Sequence, residues 1–560
     1  MVCCMMSSRK RMIYAANDIM NNLILKFPEG FQPRDKQAYA LNEIEKAFNN
    51  GKKFVIVHAD TGAGKTHIAK TLGNAAKDVP SDFVNYVTRY SIFGENGDQL
   101  MANFKSFGCY ALTITKSLQD QYQNTFNDSG LLKGKGNYQC DIDDTLSVDI
   151  APCIHSQKQR DECWAVNRCP YYNARNNMLI SKFSTLNYSM FFSLPQHLKR
   201  REIMVCDEGS ELEEQLVSQF TTEVDISFLM KTQTLVSSLP NDTSNKIKIL
   251  SWIEALSVNV NKSVENYKTW FSENNNKKDI ITFNKKKGEY TKLSNLQNSL
   301  NLLHETFYDS EYIIERLDSK IRFIPLKVDT LSKHLFNHAE KVVILSATII
   351  DVAAYCKSLG ITDYEYIHIP SDFEPEKSPI YIMAKQKLNN KNLKDMLPTL
   401  MKQIKGIIDD HKDVKGIIHT HTQYLADYIK EHVKSDRLLV REAGVTNEQI
   451  LEIHESTDRP TILVSPSMTY GVDLKDDLSR FQIILKAPWP PVNDIRVSKL
   501  MKMDKDWYSN AMFKTLVQAC GRSVRTQDDH CDTYILDGSI YDAMIYNKKK
   551  LPKFFTERFN

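Results

Sequence analysis

Four short runs of apolar and β-branched residues punctuate the first 350 positions: Lys53–His58, Ala111–Thr115, Glu202–Cys206 and Lys341–Leu345. Stretches of helical spacing separate them, which predicts strands alternating with helices and a parallel α/β sheet. The first run leads into a Gly-rich turn, the third into Asp207–Glu208 and the fourth into Ser346–Ala347–Thr348. Open sheets of this kind hold ligands at the carboxyl ends of their strands, so these three turns mark a candidate site. A second α/β pattern begins near Ser378, with strands expected at Gly416–His419, Thr461–Val464 and Phe481–Leu485. Between the patterns, residues 225–330 are polar and helix-like. The Asn/Lys-rich stretch Asn274–Lys287 reads as a loop or solvated hairpin. No short-period repeat is present.

At 560 residues the chain has room for about three or four domains. A composition with 42% hydrophobic and 25% charged residues is that of an ordinary globular protein. Net charge is only +3, from 72 basic and 69 acidic residues. Any grip on a polyanion must therefore come from local donors rather than an overall field. No run of about 18 apolar residues predicts a transmembrane helix. The opening MVCCMMSSRKRM has no apolar segment after its charges, so no secretory signal is read and a reducing, cytoplasmic setting is expected. Eleven cysteines then argue against disulfides.

The turn after the first run is ADTGAGKT: Ala59, Asp60, Thr61, Gly62, Ala63, Gly64, Lys65 and Thr66. It matches the phosphate-binding P-loop, with Ala59 in place of the first glycine. The glycines let backbone N–H groups approach phosphates, Lys65 neutralises the β/γ-phosphates, and Thr66 offers a hydroxyl to Mg²⁺. A P-loop needs a second metal carboxylate and a group that orients water. Asp207 and Glu208 fit those roles, because they follow an apolar strand. An acidic pair alone would read as a solvated helix start. Upstream, Arg34 and Gln37 stand three apart and are candidates for the adenine edge; an exposed helix start after Pro33 is the plain alternative. In the second half, QACGRSVR supplies Gln518, Arg522 and Arg525. The two arginines share a helix face and are expected to reach the γ-phosphate from a neighbouring domain.

Four cysteines, Cys140, Cys153, Cys163 and Cys169, fall within thirty residues in the spacing C-x₁₂-C-x₉-C-x₅-C. That density marks a metal site, and the spacing leaves zinc and an iron–sulfur cluster both open.

The motifs resemble those of superfamily 2 helicases of the Rad3/XPD and DinG type, and more the DinG branch of bacteria and phages. The likeness runs from Phe31 to about Gly538. ADTGAGKTH resembles motif I, LTITKSLQDQY motif Ia, DEGS motif II and LSATII motif III. GIIHTHTQ stands at motif IV, SPSMTYGVDL at motif V and QACGRSVR at motif VI. LKGKGNYQC and CPYYNAR resemble the two ends of the family's cluster domain, and LNYSMFF the motif before motif II.

The resemblance implies two RecA-like motor domains. The first would comprise residues 1–105, 181–224 and 331–370, interrupted by an iron–sulfur insertion at 106–180 and a mainly helical arch at 225–330. The second would be 371–560. It implies a [4Fe–4S] cluster on the four cysteines, ATP with Mg²⁺ on Thr66 and Asp207, and 5′→3′ movement of a monomer along single-stranded or forked DNA. Donors to the strand would be Thr115, Lys116 and Ser117 in motif Ia, His419 and Thr420 in motif IV, and Ser467, Met468 and Thr469 in motif V. Trp164, Tyr171 and Tyr172 lie beside the cysteines, where they pack around a cluster or stack bases.

Two departures matter. Gly209 and Ser210 replace the Ala and His of the family's DEAH, and the His normally couples hydrolysis to the second domain. Tyr470 stands where motif V usually has Glu. The first departure keeps a second reading open, a nucleotide-switched DNA clamp that hydrolyses ATP with little unwinding. A cluster-dependent nuclease fits poorly, because no second carboxylate cluster accompanies Asp207–Glu208.

Overall fold

The structure is a computed structural model. It describes residues 23–60, 62–89, 106–144, 146–151, 153, 158, 162–163, 169–274, 280–371, 373–384, 386–389, 391–442, 444–466, 474, 476–521, 523–524 and 529–560.

Three sheets organise these residues. The first contains β1 (Phe54–Ala59), β2 (Cys109–Thr113), β3 (Gly130–Leu131), β4 (Phe183–Asn187) and β5 (Arg201–Cys206). The chain then leaves through β6 (Thr222–Asp225), β7 (Tyr312–Arg316) and β8 (Lys320–Pro325). It returns as β9 (Ala339–Ser346) and β10 (Tyr364–Ile369). The first sheet has the order β10-β1-β9-β5-β2-β4-β3 and every pairing in it is parallel. Alternation along its strands feeds two cores. Val55, Val57, Cys109 and Ala111 pack on one face, and Ile56, Tyr110 and Leu112 on the other. Burial on both faces is why most of these strands read as largely apolar runs.

The second sheet contains β11 (Ile380–Ile382), β12 (Gly416–His419), β13 (Leu438–Val440), β14 (Ile462–Ser465), β15 (Phe481–Ile484) and β16 (Asp532–Ile535). Its order is β11-β16-β15-β12-β14-β13, again parallel throughout. Two parallel sheets covered by helices are the expected pair of motor folds.

β6, β8 and β7 form a small antiparallel sheet. Two helices, Lys246–Glu273 and Ile280–Thr306, stand on it, each roughly 40 Å long at 1.5 Å per residue. Ile249, Ile253, Val260 and Val264 of one helix and Leu293, Leu300 and Leu303 of the other share a core with Val224 and Phe323 of the sheet. The 225–330 region is thus helical, as expected, but it is anchored by strands that begin at Thr222.

Two expectations need correction. The insertion drawn as 106–180 does not begin at 106. β2 lies inside the first sheet between β5 and β4, and β3 closes its edge, so the chain belongs to the sheet as far as Leu131. At the other end, the helix Pro170–Ile180 packs Met178 and Leu179 into the first core. The Asn274–Lys287 stretch is not all loop either. The second long helix starts at Ile280 and contains Lys285–Lys287, because Phe283, Tyr290 and Leu293 recur at helical spacing; the first two rings pack on Phe271. Lys286 Nζ lies 5.0 Å from the Tyr267 ring centre. Residues 275–279 lie outside the described residues.

Candidate active site

β1 runs between β10 and β9 and delivers the P-loop at its carboxyl end. Gly62 and Gly64 have φ of 83° and 76°, a left-handed backbone that favours glycine, and Gly64 caps the helix Lys65–Ala75. Lys65 thus stands at the start of a helix whose first N–H groups are free to meet phosphates. Thr66 follows it in the first turn. Thr61 lies outside the described residues.

Arg34 and Gln37 are at the P-loop, but they brace it. The Arg34 guanidinium donates to the Gly62 carbonyl at 2.8 Å. Gln37 Nε2 donates to the Ala63 and Gly64 carbonyls at 3.1 and 3.3 Å, while its Oε1 accepts from the Arg34 N–H at 2.9 Å. The Gln37 amide is buried and engaged at both ends.

β5 brings motif II alongside. Lys65 Nζ donates to Glu208 Oε1 at 3.1 Å. The Asp207 carboxylate is buried and accepts from the Tyr122 hydroxyl at 3.0 Å and the Glu208 N–H at 2.9 Å. Burial lifts its pKa above the ordinary carboxylate range, Lys65 opposes that rise, and Glu208 adds to it. A buried carboxylate facing one ammonium suits a divalent cation, which favours its charged form. Glu208 holds a left-handed backbone at φ 50°, a cost that proteins tolerate mainly at working sites.

Gly209 is a glycine for want of space. A Cβ there would lie 2.2 Å from Ile344 Cγ2 of β9. Tyr355 closes the same spot by donating its hydroxyl to the Gly209 carbonyl at 2.5 Å.

Ser210 sits at a junction between the two motor sheets. Its N–H donates to Ser346 Oγ at 3.3 Å, and its Oγ accepts from the Thr348 hydroxyl at 3.0 Å. From the second half, Gln518 Nε2 donates to Ser210 Oγ at 3.2 Å and to Thr348 Oγ1 at 3.1 Å. Lys514, one turn earlier on the same helix, pairs with Glu211 at 3.1 Å and donates to the Ser210 carbonyl at 3.3 Å. Motifs II, III and VI therefore meet at one buried hydroxyl. A second link lies nearby, where Arg496 pairs with Glu213 at 2.5 Å and donates to the Pro325 carbonyl at 3.2 Å.

Ser346 and Thr348 lie in a turn expected at the site but had no assigned role, and Lys514 was not expected there. LSATII was legible as a motif, but it carried no signal for which side chains cross the cleft. Arg522 and Arg525 lie outside the described residues, as do Ser467, Met468, Thr469, Tyr470 and Trp164.

The strand-contact candidates divide. Thr115 caps the helix Lys116–Thr125 by accepting from the Leu118 N–H at 3.2 Å, with Lys116 and Ser117 exposed beside it. Lys116 Nζ donates to the side-chain oxygen Oδ1 of Asn137 at 2.8 Å. His419 and Thr420 are a correction. Both are buried at the end of β12, and the Thr420 hydroxyl donates to the Thr422 carbonyl at 3.0 Å. The exposed hydroxyl of that turn is Thr422, which caps the next helix.

Cys140, Cys153, Cys163 and Cys169 are all buried and line one small pocket with Ala151 and Val148. Burial raises the Cys163 thiol pKa, and its neighbours Cys169 and Cys140 add to the rise. A short turn positions the first cysteine, whose N–H donates to the Leu146 carbonyl at 2.8 Å. Cys169 caps the helix Pro170–Ile180. Tyr171 is buried against Tyr138, ring centres 5.6 Å apart, so it packs rather than stacks bases. Tyr172 lies under Arg175 at 5.0 Å.

Comparison with known proteins agrees with this layout. The family model for the type III restriction enzyme res subunit matches residues 30–209, and that for the helicase C-terminal domain matches residues 418–558. No curated protein matches the chain in sequence. Among solved structures, Xpd4 of S. tokodaii is 15% identical and superposes over 94% of this chain and 100% of its own, with a TM-score of 0.56. An XPD helicase is 14% identical over 94% of this chain and 99% of its own, at 0.57. An apo XPD is 13% identical over 91% and 97%, at 0.53. Such identities speak for the fold. A P-loop half and a helicase C-terminal half thus match family models, and the fold of the whole is shared with solved XPD structures.

Proposed function

We propose that the chain is an ATP-dependent DNA helicase that moves 5′→3′ along single-stranded or forked DNA as a monomer, in replication, recombination or repair. The observation that carries this reading is the junction of Gln518 with Ser210 and Thr348, which ties the nucleotide-side turns of the first sheet to the second half. A helicase needs such a tie, because hydrolysis must change the relation between its two motor sheets.

Lys65 is the residue that meets the β/γ-phosphates of ATP. An incoming phosphate competes with Glu208 for the ammonium, which releases Glu208 to orient water for in-line attack. Thr66 and Asp207 would hold Mg²⁺, which neutralises charge on the transferring phosphoryl group. Arg522 and Arg525 are the proposed γ-phosphate contacts from the second half. Ser210, small as it is, supports coupling rather than the clamp reading, because Gln518 reaches it directly. Lys116 and Ser117, exposed at a helix start, are proposed phosphate contacts on the strand; Ser467, Met468 and Thr469 remain proposed from the motif alone.

The four thiols fit a [4Fe–4S] cluster held by Cys140, Cys153, Cys163 and Cys169, since all four face one pocket. When bound, the cluster would tie together the chain between Cys140 and Cys169. ATP hydrolysis measured with and without single-stranded DNA tests the proposal. Strong stimulation by DNA is expected; turnover indifferent to DNA contradicts it.

A further inference from the structure

The strand that leads into the P-loop carries a second constellation. β1 and β10 are in parallel register, with His58 opposite His368. Residues opposite one another on neighbouring strands point to the same face, so the two imidazoles lie side by side, ring centres 4.9 Å apart. The chain then turns, and the Asp60 N–H donates to the Ile369 carbonyl at 3.0 Å. This returns the Asp60 carboxylate to both rings. Its Oδ1 lies 3.4 Å from His58 Nε2 and 3.4 Å from His368 Nε2. One donor atom from each residue falls within 4.8 Å of the others.

Those distances suit a shared cation, and the His368 contact is also a long hydrogen bond. An N–H···O bond spans about 2.7–3.2 Å, and both contacts are longer. Ligands about 2.1 Å from one zinc-like ion at tetrahedral angles stand about 3.4 Å apart. The outer contacts are those of a held ligand set. The Tyr366 hydroxyl lies 3.1 Å from His58 Nδ1, and the Ser371 N–H donates to Asp60 Oδ2 at 2.9 Å. His58 Nε2 also lies 3.2 Å from the Ala347 carbonyl oxygen, a hydrogen bond of its N–H that an ion at Nε2 would replace. The cluster opens on a cavity of about 780 Å³ shared with Tyr366, Ser371 and Phe373, which admits an ion and water.

We propose that His58, Asp60 and His368 bind one divalent transition-metal ion of the zinc class. Two imidazoles with one carboxylate select such an ion over magnesium. The site is distinct from the four cysteines and from Thr66 and Asp207. An ion there would pin the first turn of the P-loop to β10 and, through Ser371, to the segment joining the two motor sheets.

Cobalt(II) titration of the full chain, purified anaerobically and followed by visible absorption, tests this. His368 is the residue to change, because its side chain is 38% exposed and it lies outside the nucleotide machinery. The wild-type protein is expected to take up one equivalent of cobalt more than His368→Ala, with absorption that lacks thiolate charge transfer. His368→Cys is expected to regain that equivalent and add a thiolate-to-cobalt band. Circular dichroism establishes that both variants are folded. Equal uptake by wild type and His368→Ala overturns the proposal, as does a folded His368→Cys protein without the new band.

Discussion

Gln518 Nε2 donates to Ser210 Oγ across 3.2 Å, although 308 positions separate the two residues in the chain. The contact is buried, and Thr348 completes it. Removing one partner of a buried hydrogen bond costs about 1–3 kcal/mol. Gln518→Ala is therefore expected to lower DNA-stimulated ATP turnover by roughly 5- to 150-fold. Its melting temperature should fall by only about 2–4 °C per kcal/mol lost, so the protein stays folded at the assay temperature. Steady-state hydrolysis at saturating DNA checks this, and undiminished stimulation would show that the contact does not couple.

Gly209→Ala introduces a Cβ that meets Ile344 Cγ2 at 2.2 Å. The branched Ile344 side chain sits in a packed strand, so the protein must shift to accept it. A loss of about 1–3 kcal/mol is expected from such overpacking. Urea unfolding measures it, and an unchanged midpoint contradicts the close approach.

Cys163→Ser is expected to strip the protein of iron. The wild-type protein, purified without oxygen, should be brown and hold about four irons per chain. Metal analysis and visible absorption decide the matter. Zinc in place of iron, or no metal, rules the cluster out.

Acid should weaken the first motor fold at His338. Burial holds this imidazole down to about 4, with Lys199 and His334 adding to the effect. The unfolded chain takes up its proton near the ordinary value of about 6.5, while the folded protein resists until about 4. Its stabilising share is complete above about pH 6.5 and is lost as pH falls toward 4. Denaturation midpoints at pH 7 and pH 5 should therefore differ more for the wild type than for His338→Gln. Equal differences contradict the buried neutral histidine.

Most strands were legible because parallel strands buried on both faces are apolar over most of their length, as β1, β5 and β12 are. Their edges were not. β3 has only two residues, too few for any pattern, so the chain's stay in the sheet as far as Leu131 left no trace. Lys285–Lys287 hid a helix, because the aromatic positions that make it amphipathic face a partner helix some 20 residues away. The P-loop and Asp207–Glu208 could be read directly, since their chemistry demands fixed residue types at fixed spacing. Arg34 and Gln37 were placed at the right loop, but their hold on its backbone carbonyls was not legible, as spacing does not say whether an amide faces a ligand or a backbone carbonyl. The Ser210 junction and the pairing of His58 with His368 depend on domain contact and strand order. Neither leaves a local trace in the sequence.

Strand displacement with 5′-tailed and 3′-tailed duplexes, using the wild type and Lys65→Ala, tests the helicase reading most directly. Displacement of the 5′-tailed duplex alone, dependent on ATP and abolished in a folded Lys65→Ala protein, is the expected result. ATP turnover by the wild type with neither duplex displaced, or displacement that survives in Lys65→Ala, would contradict it.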